Sequence, residues 1–153
     1  IHASERRAMQ PGKAEVLIDA PQSERSVVIW AYGALVNQAA EAVERLARRG
    51  VSIALVDARF AKPIDEELLA QHLSSFRWLL TLEEHQRAGG FGSAVLECAA
   101  RIPTQRAQIK VFGIPDRYID HKTTREEQLS ECGLDADELE RYVRQLLQST
   151  RVG

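Results

Sequence analysis

Cysteine is scarce in this chain of 153 residues: Cys98 and Cys132 are the only two, and they form no C-x-x-C pair. That excludes the disulfide framework of a small secreted scaffold and fits a reducing compartment, read here as the cytoplasm. Long apolar runs are also missing. None approaches the roughly 18 residues of a membrane span, and the first twenty residues lack the basic-then-apolar order of a signal peptide. Nor is there an excess of one charge: twenty basic residues against twenty-two acidic ones leave a net charge of −2. No overall field therefore draws the chain to nucleic acid or an anionic membrane, and any charge-based recognition must be local. Histidine numbers four, at His2, His72, His85 and His121, with no H-x-x-x-H spacing and no cysteine pair alongside, so no metal site is expected.

What is present suffices for one domain, with 44% of residues hydrophobic. The chain opens on Ile1, and residues 1–12 carry neither a helical nor a strand period. We expect a linker from a preceding domain over residues 1–12 and a single domain over residues 13–153. The run Ala14 to Ile18 alternates small or charged with branched residues, as a half-buried edge strand does; Pro21 to Arg25 reads as a loop. Ser26 to Tyr32 is nearly continuous and apolar, the pattern of a strand buried on both faces. From Ala34 to Arg49 the period lengthens, with Leu35, Ala39, Val43 and Leu46 on one helical stripe ended by Gly50. Val51 to Val56 then reads as a strand, completing a βαβ unit.

The alternation continues. Pro63 with Asp65, Glu66 and Glu67 marks a helix start, Trp78 to Leu82 a strand, Ser93 to Ala100 a helix and Gln108 to Phe112 a strand. Glu83 to Arg87 reads as a polar loop leading to the glycines. Thr124 to Glu127 matches a capping box, and a last helix begins near Asp135 with a stripe of Leu139, Tyr142, Val143, Leu146 and Leu147. The expected fold is a three-layer α/β/α sandwich whose sheet of about five strands is mostly parallel, with one antiparallel edge strand.

Four features are candidate sites. Gly89-Gly90-Phe91-Gly92 precedes a helix, where backbone N–H groups can cradle a phosphate, but it is neither G-x-G-x-x-G nor a P-loop, and close packing of loop on sheet explains it as well. Ser93 lacks the second glycine of a nucleophile elbow. Glu83, Glu84 and His85 stand at the carboxyl end of a strand, where acid–base work is conceivable and a solvated cluster is the ordinary alternative. Arg59 follows the Val51 to Asp57 segment; its planar guanidinium suits a bidentate grip on phosphate, whereas a surface ion pair with Asp57 or Asp65 would be worth at most about 1 kcal/mol.

The string Val56-Asp57-Ala58-Arg59-Phe60-Ala61-Lys62-Pro63-Ile64-Asp65 resembles the V-D-x-R-F-x-K-P-x-D segment of the 1-deoxy-D-xylulose-5-phosphate synthases. Three more stretches resemble that family in the same order: Gly12-Lys13-Ala14-Glu15, Glu83-Glu84 through Gly89-Gly90-Phe91-Gly92-Ser93, and Pro115 through His121. The tail Glu127-Gln128-Leu129 with Gly133-Leu134-Asp135 favours this family over the β subunits of 2-oxo acid dehydrogenases, which share the glycine loop and the Gly-Lys start. Two positions depart from the pattern: Lys122 stands where many members have glycine, and Trp30 is bulkier than the usual strand residue.

The resemblance implies the transketolase carboxyl-terminal fold. It also implies an enzyme that decarboxylates pyruvate and adds the two-carbon unit to glyceraldehyde 3-phosphate, opening the methylerythritol phosphate route to isoprenoids. Thiamine diphosphate and Mg²⁺ would be held by the preceding domains, since the G-D-G type motif and activating glutamate of the family are not in this chain. This domain would then hold no cofactor and have no turnover alone. Its partners would be those cofactor-binding domains and, in a homodimer, a second subunit. Arg59 matches the family's arginine that holds the acceptor's phosphate.

Overall fold

The computed structural model describes residues 10–21, 26–103, 105–120 and 124–149. Five strands and five α-helices follow in the order β1 (Glu15–Ile18), β2 (Val27–Ala31), α1 (Val36–Arg48), β3 (Ala54–Asp57), α2 (Glu66–Ser75), β4 (Trp78–Gln86), α3 (Phe91–Ala99), β5 (Gln108–Ile114), α4 (Arg125–Cys132) and α5 (Ala136–Ser149). The sheet order is β1-β3-β2-β4-β5, with β1 antiparallel to β3 and every other pair parallel. The expected sheet, including its antiparallel edge, is the one found.

The alternation of strand side chains divides the core into two layers. From β2, Val27, Ile29 and Ala31 face α1 and α5, joining Leu35, Val43, Leu46, Leu139 and Val143. Val28 and Trp30 face the opposite side, where Leu69 and Leu73 of α2 and Phe91 and Val95 of α3 complete a second cluster. All five residues of β2 are fully buried, which is why this segment reads as an unbroken apolar run.

Three boundaries differ from expectation, each for a local reason. β3 starts at Ala54, because the N–H of Val51 is still donated to the carbonyl of Leu46 at 3.0 Å, closing the end of α1. β4 does not stop at Leu82: it runs on to Gln86, which pairs with Ile114 of β5 beyond a register shift, so the segment expected as a polar loop is mostly strand. α3 begins at Phe91, two residues early, because its first N–H groups find an acceptor in Glu83. The capping box at Thr124 and Glu127 is present, and Gly133 ends α4 with a left-handed φ of 69°. Residues 1–9 of the expected linker, residues 22–25 of the expected loop, and His121 and Lys122 lie outside the described residues.

Trp30 has a specific partner. Its Nε1–H donates to Nδ1 of His72 at 3.0 Å, both side chains being buried, and His72 in turn meets Phe76 edge-on. The bulk at position 30 thus comes with an acceptor on α2. Burial pushes the His72 imidazole below its ordinary value of 6.5, against smaller upward pulls from Asp19 and Asp65. The unfolded chain therefore binds this proton more readily than the folded one. The stability that follows is complete above about pH 6.5 and is lost as pH falls through the depressed folded value. Thermal unfolding of the chain between pH 7 and pH 5 should show this loss. His72→Phe should flatten that part of the profile while lowering stability at pH 7 by about 1–3 kcal/mol, since the indole N–H is left without an acceptor.

Candidate functional site

Parallel strands present their carboxyl ends together, and the crevice opens where the chain reverses its direction of winding. Here β2 is followed by β3 on one side while β4 lies on the other, so the switch point falls between β2 and β4. Glu83 of β4 sits at that point, fully buried. Its two carboxylate oxygens accept the N–H groups of Phe91 at 2.5 Å and Gly92 at 2.7 Å, the first of α3. A carboxylate at a helix start satisfies both the free donors and the helix dipole.

This arrangement decides the reading of the glycine cluster. A Cβ on Gly90 would overlap the Glu83 carboxylate, and one on Gly92 would meet Val111 at 2.5 Å and Thr81 at 2.8 Å. Gly90 has a φ of −87°, so space and not conformation demands glycine there. Gly89, by contrast, takes a left-handed φ of 78°, and Ser93 accepts its N–H at 2.9 Å while donating to the carbonyl of Arg87 at 2.8 Å. The N–H groups that could have cradled a phosphate are thus consumed by an internal anion. A diphosphate would be repelled by Glu83, so this loop does not fit thiamine diphosphate or a nucleotide. Among the described residues no cluster of three His, Cys, Asp or Glu side chains could hold a metal ion.

A cleft of about 330 Å³ opens beside the loop, between Tyr32, Lys62, His85, Phe91 and Glu97. Tyr32 and Phe91, both in its lining, stack on each other with ring centroids 5.4 Å apart. Glu84 points elsewhere and is held by the guanidinium of Arg125, with Nε to Oε1 at 3.0 Å. The three neighbours Glu83, Glu84 and His85 therefore do separate things: Glu83 caps a helix, Glu84 is ion-paired at the surface, and His85 borders the cleft.

Arg59 lies past the carboxyl end of β3, beside β2, and is not among the residues lining that cleft, although Ala61 and Lys62 just beyond it are. Among the described residues it is the one non-glycine with a left-handed backbone, at φ 56°, a conformation that costs about 1–3 kcal/mol outside glycine and persists only when its surroundings hold it. Asp57 holds the backbone and Glu15 the side chain. Asp57 accepts the backbone N–H of Arg59 at 2.9 Å, and Glu15 of β1 pairs with its Nη2. Asp57 thus meets the backbone of Arg59, while the guanidinium belongs to Glu15, a partner that the spacing did not suggest.

The two sequence strings that flank β1 and α2 explain each other. Asp65 caps α2 through Leu68 N–H at 3.2 Å, accepts the N–H of Ala14 at 3.2 Å and meets Lys13 Nζ at 3.4 Å. Lys13 also reaches Glu67 at 3.0 Å. Gly12, with φ 72°, passes so close to Pro63 that a Cβ would stand 2.9 Å from its ring. Gly12-Lys13-Ala14-Glu15 and Arg59 to Asp65 are therefore one packed unit, and the sequence signal that could have found it was the co-occurrence of the two strings.

Both cysteines are free and buried, and burial pushes both thiols up, away from the reactive range. In the Pro115 to Asp120 segment, Arg117 pairs with Glu131 at 3.0 Å and Tyr118 stands 99% exposed.

Fold and site edge together define the class. The family model for the transketolase carboxyl-terminal domain matches residues 12–139, and the chain belongs to that family. It is similar in particular to 1-deoxy-D-xylulose-5-phosphate synthases: 46% identical over 125 residues to that of Geobacillus thermodenitrificans, covering 82% of this chain and 19% of that protein. To that of Brevibacillus brevis it is 37% identical over 136 residues, covering 89% and 21%. The chain thus spans about one fifth of the length of these curated relatives. Among solved structures, a split-gene transketolase in an inactive β4 tetramer superposes with a TM-score of 0.80 at 30% identity, covering 95% of this chain and 45% of that one.

The role given to Glu83 can be checked by denaturant unfolding of the chain. Glu83→Gln keeps one acceptor and turns an amide N–H on the other donor, so it should lower the unfolding free energy by about 1.5–3 kcal/mol. Gly90→Ala, which forces a methyl group into that carboxylate, should cost at least as much.

Proposed function

We propose that this chain is the carboxyl-terminal domain of a cytoplasmic 1-deoxy-D-xylulose-5-phosphate synthase. That enzyme is a thiamine-diphosphate-dependent transferase joining pyruvate, with loss of CO₂, to glyceraldehyde 3-phosphate in isoprenoid synthesis. Thiamine diphosphate and its Mg²⁺ belong to the preceding domains and supply the carbanion chemistry. The present domain packs against them, adds to a homodimer interface and lends Arg59 to the acceptor's phosphate. By itself it has no turnover. The similarity to synthases over most of the chain supports the reaction, and the inactive state of the related split-gene transketolase assembly is in keeping with the last point.

The observation that carries the assignment of Arg59 is its fixed geometry. An arginine at the carboxyl end of β3 whose backbone is held by Asp57 and whose guanidinium is held by Glu15, with its side chain 17% exposed, is a rigid planar donor. We infer that the rest of the phosphate site comes from the preceding domains, which hold the cofactor in this reading. Holding a remote phosphate orients the aldehyde and lowers the barrier to carbon–carbon bond formation.

In the full-length parent enzyme, Arg59→Ala should lower kcat/KM for glyceraldehyde 3-phosphate by about 1.5–3 kcal/mol, or roughly 10- to 150-fold, with a much smaller loss for unphosphorylated glyceraldehyde. Equal losses on the two aldehydes would make the domain a scaffold.

A further inference from the structure

Arg59 does not set its own direction. The antiparallel register of β1 and β3 places Glu15 opposite Asp57, two residues before Arg59, and the Glu15 carboxylate takes the guanidinium across 44 residues of sequence. We propose that Glu15 is a positioning residue for acceptor recognition: it fixes the guanidinium of Arg59 from the β1 side and leaves the remaining N–H groups of the fork for the acceptor's phosphate. This inference rests on the reading of Arg59 given above.

Three observations support it. First, the pair is sheltered, with side-chain exposures of 17% for Arg59 and 30% for Glu15, so water screens it less than the open ion pairs of the helices. Second, the carboxylate stands on a fixed support. Next to it, Ala14 N–H is bonded to Asp65, Lys13 is committed to Asp65 and Glu67, and Gly12 is packed on Pro63. Neither the strand nor a competing cation draws Glu15 away. Third, the backbone of Arg59 is set independently by Asp57, so Glu15 acts on the side chain alone. An arginine has five donors in one plane, and engaging one edge leaves others free for a second oxyanion. Without Glu15 the long side chain would have to be ordered by the substrate itself. Immobilising a rotamer-rich side chain weakens binding by about 2- to 12-fold.

The full-length parent enzyme provides the test, through steady-state kinetics with the aldehyde and pyruvate varied in turn. Glu15→Ala should raise the KM for glyceraldehyde 3-phosphate about 3- to 10-fold, well beyond its effect on the KM for pyruvate or for unphosphorylated glyceraldehyde. Glu15→Gln, which keeps an acceptor for Nη2, should restore most of the loss. Glu15→Ala combined with Arg59→Ala should be no worse on the phosphorylated aldehyde than Arg59→Ala alone. If Glu15→Ala leaves that KM in place or lowers it, Glu15 is a bystander or a competitor of the phosphate and the proposal is overturned. Additive losses in the double variant would overturn it too. Should Glu15→Ala fail to fold, Glu15→Gln and Glu15→Asp decide: a structural role would make the losses follow the thermal midpoint, not the phosphate of the substrate. Failure of the Arg59 reading looks different, since Arg59→Ala would then affect both aldehydes alike, whatever Glu15 does.

Discussion

A buried carboxylate, Glu83, ties the centre of the sheet to the helix that follows it. Removing an ionised group from water is costly unless every oxygen is satisfied, and here the start of α3 supplies the donors. Much of the local sequence follows from that one requirement. Gly90 must lack a side chain to let the carboxylate in, Gly92 must lack one to lie on Val111 and Thr81, and Gly113 passes within 2.8 Å of the His85 carbonyl at the position of a Cβ. Beyond Glu83, β4 runs past the point where its apolar run ends, through the pairing of Gln86 with Ile114. The Glu83 carboxylate also removes the anion site that a glycine-rich helix start ordinarily offers, so the crevice at the switch point is lined by aromatic and charged side chains instead of bare N–H groups.

A second set of contacts governs the outer edge. Asp65 is shared between a helix start and the strand that opens the domain, while Glu15 and Asp57 hold Arg59 from two directions. The cation therefore stands on a support assembled from residues 12–15 and 57–65, which are distant in sequence and interlocked in space. Arg59 itself lies in the connection between β3 and α2, and these contacts fix it there.

How much of this was legible in the sequence depends on the kind of signal. The fully buried β2, the stripe of α1 and the capping box at Thr124 are periodic or local, and each lies where its pattern places it. Glu83 was illegible because a run of acidic and polar residues resembles solvated loop, and only the fold reveals that its first member is enclosed. Trp30 stood out as an oddity until His72, 42 residues away, appeared as its acceptor. Arg59 was singled out by position and resemblance, yet its partner Glu15 comes from the antiparallel register of an edge strand, which no spacing within the Arg59 segment encodes.

The pairing of α1 with α5 has a consequence for how the chain is made. The stripe of Ala39, Val43 and Leu46 shares its cluster with Leu139 and Val143, which lie nearly at the other end of the domain. At a synthesis rate of about 5–20 residues per second, the interval between the two helices lasts several seconds or more. Throughout that time one flank of α1 has no cover, and the parallel strands of the centre, which pair only after each intervening helix has been made, give it little early shelter. The last helix is thus the latch of the domain: the cluster under α1 closes only once α5 has been made.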